Sequence, residues 1–292
     1  MIQRRVFPLV AIAVAVAAGF GLRLPIAAEV VVLAVSVLLF GIPHGALDVL
    51  HARDAQQLQQ PAQWARFLLR YVAIALLVVA VWTVAPSASL VGLLVISALH
   101  FSGDLERGSP LALRAVHGAA PVCLPALLHR DELGELFAAL APVDAARSLA
   151  AALEVLSLPV LLGSMVCVVL YARRCRATAL EVAATAAVCS VASPLLGFLV
   201  YFCLLHSWRH VDRTRRIYRP AAATMIWSAA LPTAATALGA LAAWLWFEPR
   251  SLESGLLQLV FVGLAALTVP HMLLIERVRL RGWQARGVPQ RA

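Results

Sequence analysis

Residues 205–210 read LHSWRH, near the end of a long apolar run. His206 and His210 are four residues apart, a spacing that on a helix puts both imidazoles on one face, one above the other. Each ring has two nitrogens that want partners, so two idle histidines on one membrane helix are costly. A shared metal ion would employ them. Three other histidines stand in short motifs elsewhere: His44 in GIPHGALD, His100 in LHFSGD and His271 in VPHM.

All-histidine ligation without a thiolate suits iron, copper or zinc. A neutral set of ring nitrogens in apolar surroundings, with open positions, fits Fe(II) that binds dioxygen. Zinc hydrolysis would call for HExxH or a carboxylate base beside the metal, and that motif is absent. A haem-binding redox protein would want histidine pairs on two facing helices at two depths. A transporter or channel with a histidine proton relay is the rival from another class. Many transporters show a repeat between their halves, and this sequence carries no convincing one.

The neighbours of the histidines add to this. Gly41 and Gly45 flank His44 and let another helix or a ligand come close. Asp48 follows His44 by four residues, and Asp104 follows His100 by four. A carboxylate one turn from a ligand histidine can accept its second ring N–H and fix the tautomer. The plainer alternative pairs Asp48 with Arg53 and Asp104 with Arg107 at the interface. Arg209 is expected to face away from the two histidines and to anchor at the interface. Trp208 suits an interfacial aromatic belt better than a wall against an apolar substrate. Pro270 would kink its helix so that His271 turns inward.

These residues need elements to hold them, and composition says which. Of 292 residues 62% are apolar and 13% charged, with mean hydropathy +0.87, as in a polytopic membrane protein. Every one of the 24 basic residues is Arg, and the lack of Lys excludes a Schiff base to retinal within this chain. The five cysteines are dispersed without CxxC spacing and read as small buried apolar residues. The N-terminal Arg4-Arg5 and apolar run resemble a signal peptide, but no clean cleavage site follows, so the run is kept as the first span.

The expected fold is all-α: a polytopic transmembrane helical bundle forming a single integral membrane domain over residues 1–292. About ten spans (eight to ten) of roughly 20 residues fit, near 6–22, 27–50, 66–85, 87–102, 111–129, 147–171, 177–192, 193–211, 221–247 and 254–276. Ser193-Pro194 predicts a broken helix or a tight hairpin between two short segments. Pro43, Pro121, Pro125, Pro159, Pro232 and Pro270 predict kinks within spans. With both termini cytoplasmic, only Arg23, Arg130, Arg147 and Arg250 of the 24 arginines lie outside, as the positive-inside rule expects. The +9 charge is therefore a matter of topology, not of nucleic acid. Residues 130–146 are expected at the outer surface as a short interfacial helix. In this topology His44, His100, His206, His210 and His271 share one depth, at the cytoplasmic ends of even-numbered spans. Helix C-termini there favour a cation.

At these residues the chain resembles the Brp/Blh family, the membrane β-carotene 15,15′-dioxygenases of bacteria and archaea. GIPHGALD at Gly41–Asp48, HFSGD at His100–Asp104, HSWRH at His206–His210 and VPHM at Val269–Met272 appear in the family's order. One departure is Ser102, where the family more often has Gly. The resemblance implies Fe(2+)-dependent cleavage of a carotenoid's central double bond by O2, giving retinal. It also implies four histidine ligands, carried onto His44, His100, His206 and His210. His271 would be either a fifth group on the metal or a partner behind a ligand, and Asp48 and Asp104 would orient ligands. The substrate is expected to enter sideways from the lipid bilayer of the cell inner membrane, into a tunnel of Val, Leu, Ala and Phe. A retinal-binding rhodopsin is the expected functional partner for the product.

Overall fold

A chain in hydrocarbon must satisfy its backbone internally, and the described residues answer with helices and no strands. The computed structural model describes residues 3–105, 109–246 and 251–281. The helices are α1 (Gln3–Gly19), α2 (Ile26–Gln56), α3 (Pro61–Val84), α4 (Pro86–Phe101), α5 (Leu111–Cys123) and α6 (Pro125–Ala138). There follow α7 (Val143–Ala172), α8 (Arg176–Val191), α9 (194–218), α10 (Ala222–Trp246) and α11 (Leu252–Arg281).

Proline punctuates this order. Pro61, Pro86, Pro125 and Pro194 each open a helix, where the missing amide costs nothing. Pro125 was expected inside one span, but it starts α6 after a 40° bend from α5. Ala192 and Ser193 are extended, so α8 stops and α9 starts again, and the two helices pack as a tight hairpin.

The expected segments all reappear as helices, but their length and apolarity differ. Five helices, α2, α3, α7, α10 and α11, are long and apolar enough to cross a membrane, or six if the bent α5–α6 pair is one span. The shorter α4 is apolar as well. Among the described residues, helix length and composition support five to six spans, and the expected eight to ten are not confirmed. Residues 130–146 also differ from the expected surface helix. Leu133, Gly134, Leu136 and Phe137 of α6 are buried, and α6 packs along α7.

The core has two main parts. One joins Phe7 and Ala11 of α1, Leu33 of α2, Val188 of α8, and Tyr201 and Leu205 of α9. The other joins Trp82, Leu90, Phe137, Leu153 and Ala265 from α3, α4, α6, α7 and α11. No residue of α10 is buried, and Ile226, Trp227, Leu231 and Leu238 lie open on it, a surface for lipid rather than water.

Two helices contain a wider turn beside a histidine. Val37–Gly41 of α2 and Val200–Ser207 of α9 are π-helical. Such i→i+5 segments inside α-helices cluster at functional sites. The first ends three residues before His44, and the second contains His206.

Candidate metal centre

Five histidines from four helices converge. His44 comes from α2, His100 from the last turn of α4, His206 and His210 from α9, and His271 from α11. The His44 ring centroid is 5.1 Å from that of His206, 5.5 Å from His210 and 5.6 Å from His271. His100 is 4.6 Å from His206 and 5.1 Å from His271, and His210 is 5.2 Å from His271. Ligand atoms of His44, His100 and His206 lie within 4.8 Å of one another, as do those of Asp48, His210 and His271. His206 and His210 meet at His44 although the turn between them starts in a π segment and is not a plain i, i+4 step.

The second nitrogens explain the orientation. Nδ1 of His206 sits 3.0 and 2.9 Å from the two carboxylate oxygens of Asp104. Nδ1 of His271 sits 2.7 Å from Asp48 Oδ1. Nδ1 of His44 donates to the Gly41 carbonyl, with the Ser207 hydroxyl 3.2 Å away. With Nδ1 so engaged, Nε2 is the atom left to aim inward. Nε2 of His206, His210 and His271 is buried without a partner among the described residues. Orphaned buried nitrogens are rare in native proteins, and imidazole nitrogens left open within this cluster fit a metal ion in chemistry.

The two carboxylates serve histidines on other helices, not the ones four residues before them. Each also accepts from a tyrosine: Tyr71 OH lies 3.0 Å from Asp48 Oδ2, and Tyr201 OH lies 2.8 Å from Asp104 Oδ2. The structure therefore has two Tyr–Asp–His chains, Tyr71–Asp48–His271 and Tyr201–Asp104–His206. Neither tyrosine had a signal in the sequence, where each is one aromatic in an apolar run. The expected pairing of Asp104 with Arg107 lies outside the described residues.

Arg209 is placed otherwise than expected. It is drawn inward, its side chain 11% exposed, in a bidentate pair with buried Glu181 of α8. It also donates to the Asp104 carbonyl at 2.6 Å. Arg213, one turn on, donates to the carbonyls of Gly103, Asp104 and Leu105. One face of α9 thus grips the turn after α4 that carries Asp104, while His206 takes its carboxylate. Trp208 is 38% exposed and does not line the cavity.

The remaining histidines stand apart in role. Both nitrogens of His51 are taken, by Thr214 Oγ1 at 3.1 Å and by the Tyr218 hydroxyl at 3.0 Å. His129 packs against the Val191 carbonyl and Glu132. His117 is fully buried beside Tyr201.

His44, His100 and His271 are among the residues that line an apolar cavity. Phe198, Phe202, Phe261 and Leu94 line it too, as do Leu133, Phe137 and Leu140 of α6. Leu and Phe dominate the wall, with three prolines and the single valine Val122, and the expected alanines are missing from it. A groove between α3, α4 and α11, lined by Leu77, Val81, Gly92, Leu93, Thr268 and Val269, shares Leu93 and Thr268 with this cavity.

A family profile described as β-carotene 15,15′-dioxygenase matches residues 35–278, which spans all five histidines. The chain belongs to the β-carotene 15,15′-dioxygenase family. Among curated proteins, a β-carotene 15,15′-dioxygenase of uncultured marine bacterium 66A03 is 30% identical over 257 residues, covering 82% of this chain and 90% of that relative. No solved structure matches. The matched range contains the histidine-bearing parts of α2, α4, α9 and α11 that build the cluster.

Proposed function

We propose that this protein cleaves the central 15,15′ double bond of β-carotene or a related carotenoid with O2, yielding two molecules of retinal. The observation that carries this is the set of unpartnered imidazole nitrogens beside an apolar cavity. His44, His100, His206 and His210 would hold an Fe(2+) ion. When bound, iron supplies the one-electron chemistry that allows triplet dioxygen to react with a closed-shell polyene.

The chain's own residues do the rest. The cavity wall excludes water and offers a hydrocarbon contact along its length. The place of a double bond relative to the histidines follows from where the chain ends meet the wall, so regioselectivity comes from positioning. One C=C bond and one O2 become two C=O bonds, with no proton gained or lost, so no side-chain acid or base is needed. Asp48 and Asp104 hold imidazoles in one tautomer. The groove between α3, α4 and α11 supports sideways entry from the bilayer, consistent with a multi-pass protein of the cell inner membrane. Without lysine the chain has no amine to keep retinal as an imine, which favours delivery to a retinal-binding rhodopsin.

Co-expression in a carotenoid-producing, otherwise colourless host tests the reading. Orange colour should fade as retinal appears, and His206→Ala should abolish retinal formation while the protein still reaches the membrane. Normal cleavage by the His206→Ala protein would remove the site assignment. A purified protein without iron would favour a transporter, and a Soret band a haem protein.

A further inference from the structure

We propose that His271 is a fifth protein ligand of the metal ion, with Tyr71 and Asp48 as the residues that position it. This rests on the metal reading above and extends its ligand set to α11.

Three observations point the same way. First, His271 is 2% exposed and its Nε2 is a buried nitrogen with no protein partner, as in His206. A histidine kept only as a hydrogen-bond donor to Asp48 would use Nδ1 and could leave Nε2 against a carbonyl or in water. Here Nε2 is left among imidazoles instead. Second, the ring stands 5.1 to 5.6 Å from those of His100, His210 and His44, close to the 4.6 to 5.5 Å that the other members keep with one another. Third, its support copies that of His206. In both cases a carboxylate from another part of the chain accepts from Nδ1 and a tyrosine hydroxyl donates to that same carboxylate; Tyr71 comes from α3, whereas Tyr201 stands on α9, the helix of His206 itself. Such outer partners belong to metal-bound imidazoles, because they fix the tautomer and raise ligand basicity.

Charge adds a reason. Asp48 is 3% exposed. A carboxylate removed from water needs hydrogen bonds and a positive charge nearby. Tyr71 and His271 supply the hydrogen bonds, and an ion on the far side of His271 supplies the charge. Tyr71 also lies 3.4 Å from the Leu267 carbonyl, one turn before His271, so the same hydroxyl ties α3 to the part of α11 that presents the ring.

The test uses the full-length protein in detergent, loaded without oxygen with Co(II) as a probe for the iron. In the wild type, X-ray absorption should count five imidazoles around the cobalt; a count of four would overturn the proposal, without need of any variant. His271→Ala should change the visible cobalt spectrum, and added imidazole should restore it. An unchanged spectrum in His271→Ala would sink the fifth ligand and leave the metal site intact. A wild type that takes up no cobalt or iron at all would overturn both readings together. Asp48→Asn keeps the ring and should weaken cobalt binding about 10–100-fold while keeping five imidazoles. Unaltered affinity in that variant would contradict a positioning role for Asp48.

Discussion

At the scale of single residues, the site depends on nitrogens that nothing in the protein satisfies. An imidazole in hydrocarbon is tolerable only with both nitrogens employed, and in this cluster one nitrogen of each of several rings waits for a partner that the chain does not contain. The carboxylates decide which nitrogen that is. Asp104→Asn can still accept from His206 Nδ1 through its amide oxygen, but it loses the charge that polarises the ring. Metal affinity should fall about 10–100-fold, measured by competition with a chelator. A change of less than twofold would show that Asp104 only packs. Arg209 and Arg213 make this aspartate a fixed point, since their bonds to the 103–105 carbonyls hold the turn in which it sits.

At the scale of elements, close contact between helices sets the register of the ligands. The clearest case is Gly118 of α5. A Cβ there would stand 2.2 Å from the Ala98 carbonyl oxygen and 2.6 Å from the Ser102 amide nitrogen. Both are backbone atoms of the segment that carries His100 and leads to Asp104, so no side-chain rotation can make room. Gly118→Ala should therefore destabilise by about 1–3 kcal/mol. It should also weaken metal binding, which thermal unfolding and chelator competition would report separately. Gly92 of α4 is the opposite case, with open space where a Cβ would go. It lines the groove that shares Leu93 and Thr268 with the cavity. Gly92→Trp should fold and bind metal as the wild type does, yet slow carotenoid cleavage at least several-fold. Equal rates at limiting substrate would show that entry runs elsewhere.

For the whole molecule, the proposed ion would act as a cross-link. Its proposed ligands on α2, α4 and α9, with α11 beside them, would tie together helices whose other contacts are mostly apolar packing. A group that binds only the folded state stabilises it by mass action, about 2.7 kcal/mol at a hundredfold excess over Kd. Chelation of the purified protein should lower its thermal midpoint, and Fe(II) should restore it; equal midpoints would mean that the bundle does not depend on the ion. The exposed apolar faces of α3, α7 and α10 look outward to lipid, while the polar groups of this cluster are gathered inside. This is the arrangement a membrane enzyme needs when its substrate dissolves in lipid and its reagent site does not.

How much of this the amino-acid sequence determined by itself depends on the range of the interaction. Apolar runs and proline positions specified helices and most of their limits, because both act within a few residues. Composition excluded an imine-forming lysine. The motifs named His44, His100, His206 and His210, and the fold brought their rings together with His271. What lay beyond reach was every pairing between helices. Periodicity attached Asp48 to His44 and Asp104 to His100, their neighbours one turn away, whereas the bundle hands them to His271 and His206. The two tyrosines, the Glu181–Arg209 pair and the cavity were equally hidden. The physical reason is that a helix's own sequence says which side chains share its face, but the partner across the gap is chosen by how neighbouring helices slide and rotate as they pack. Only the tertiary structure contains that choice.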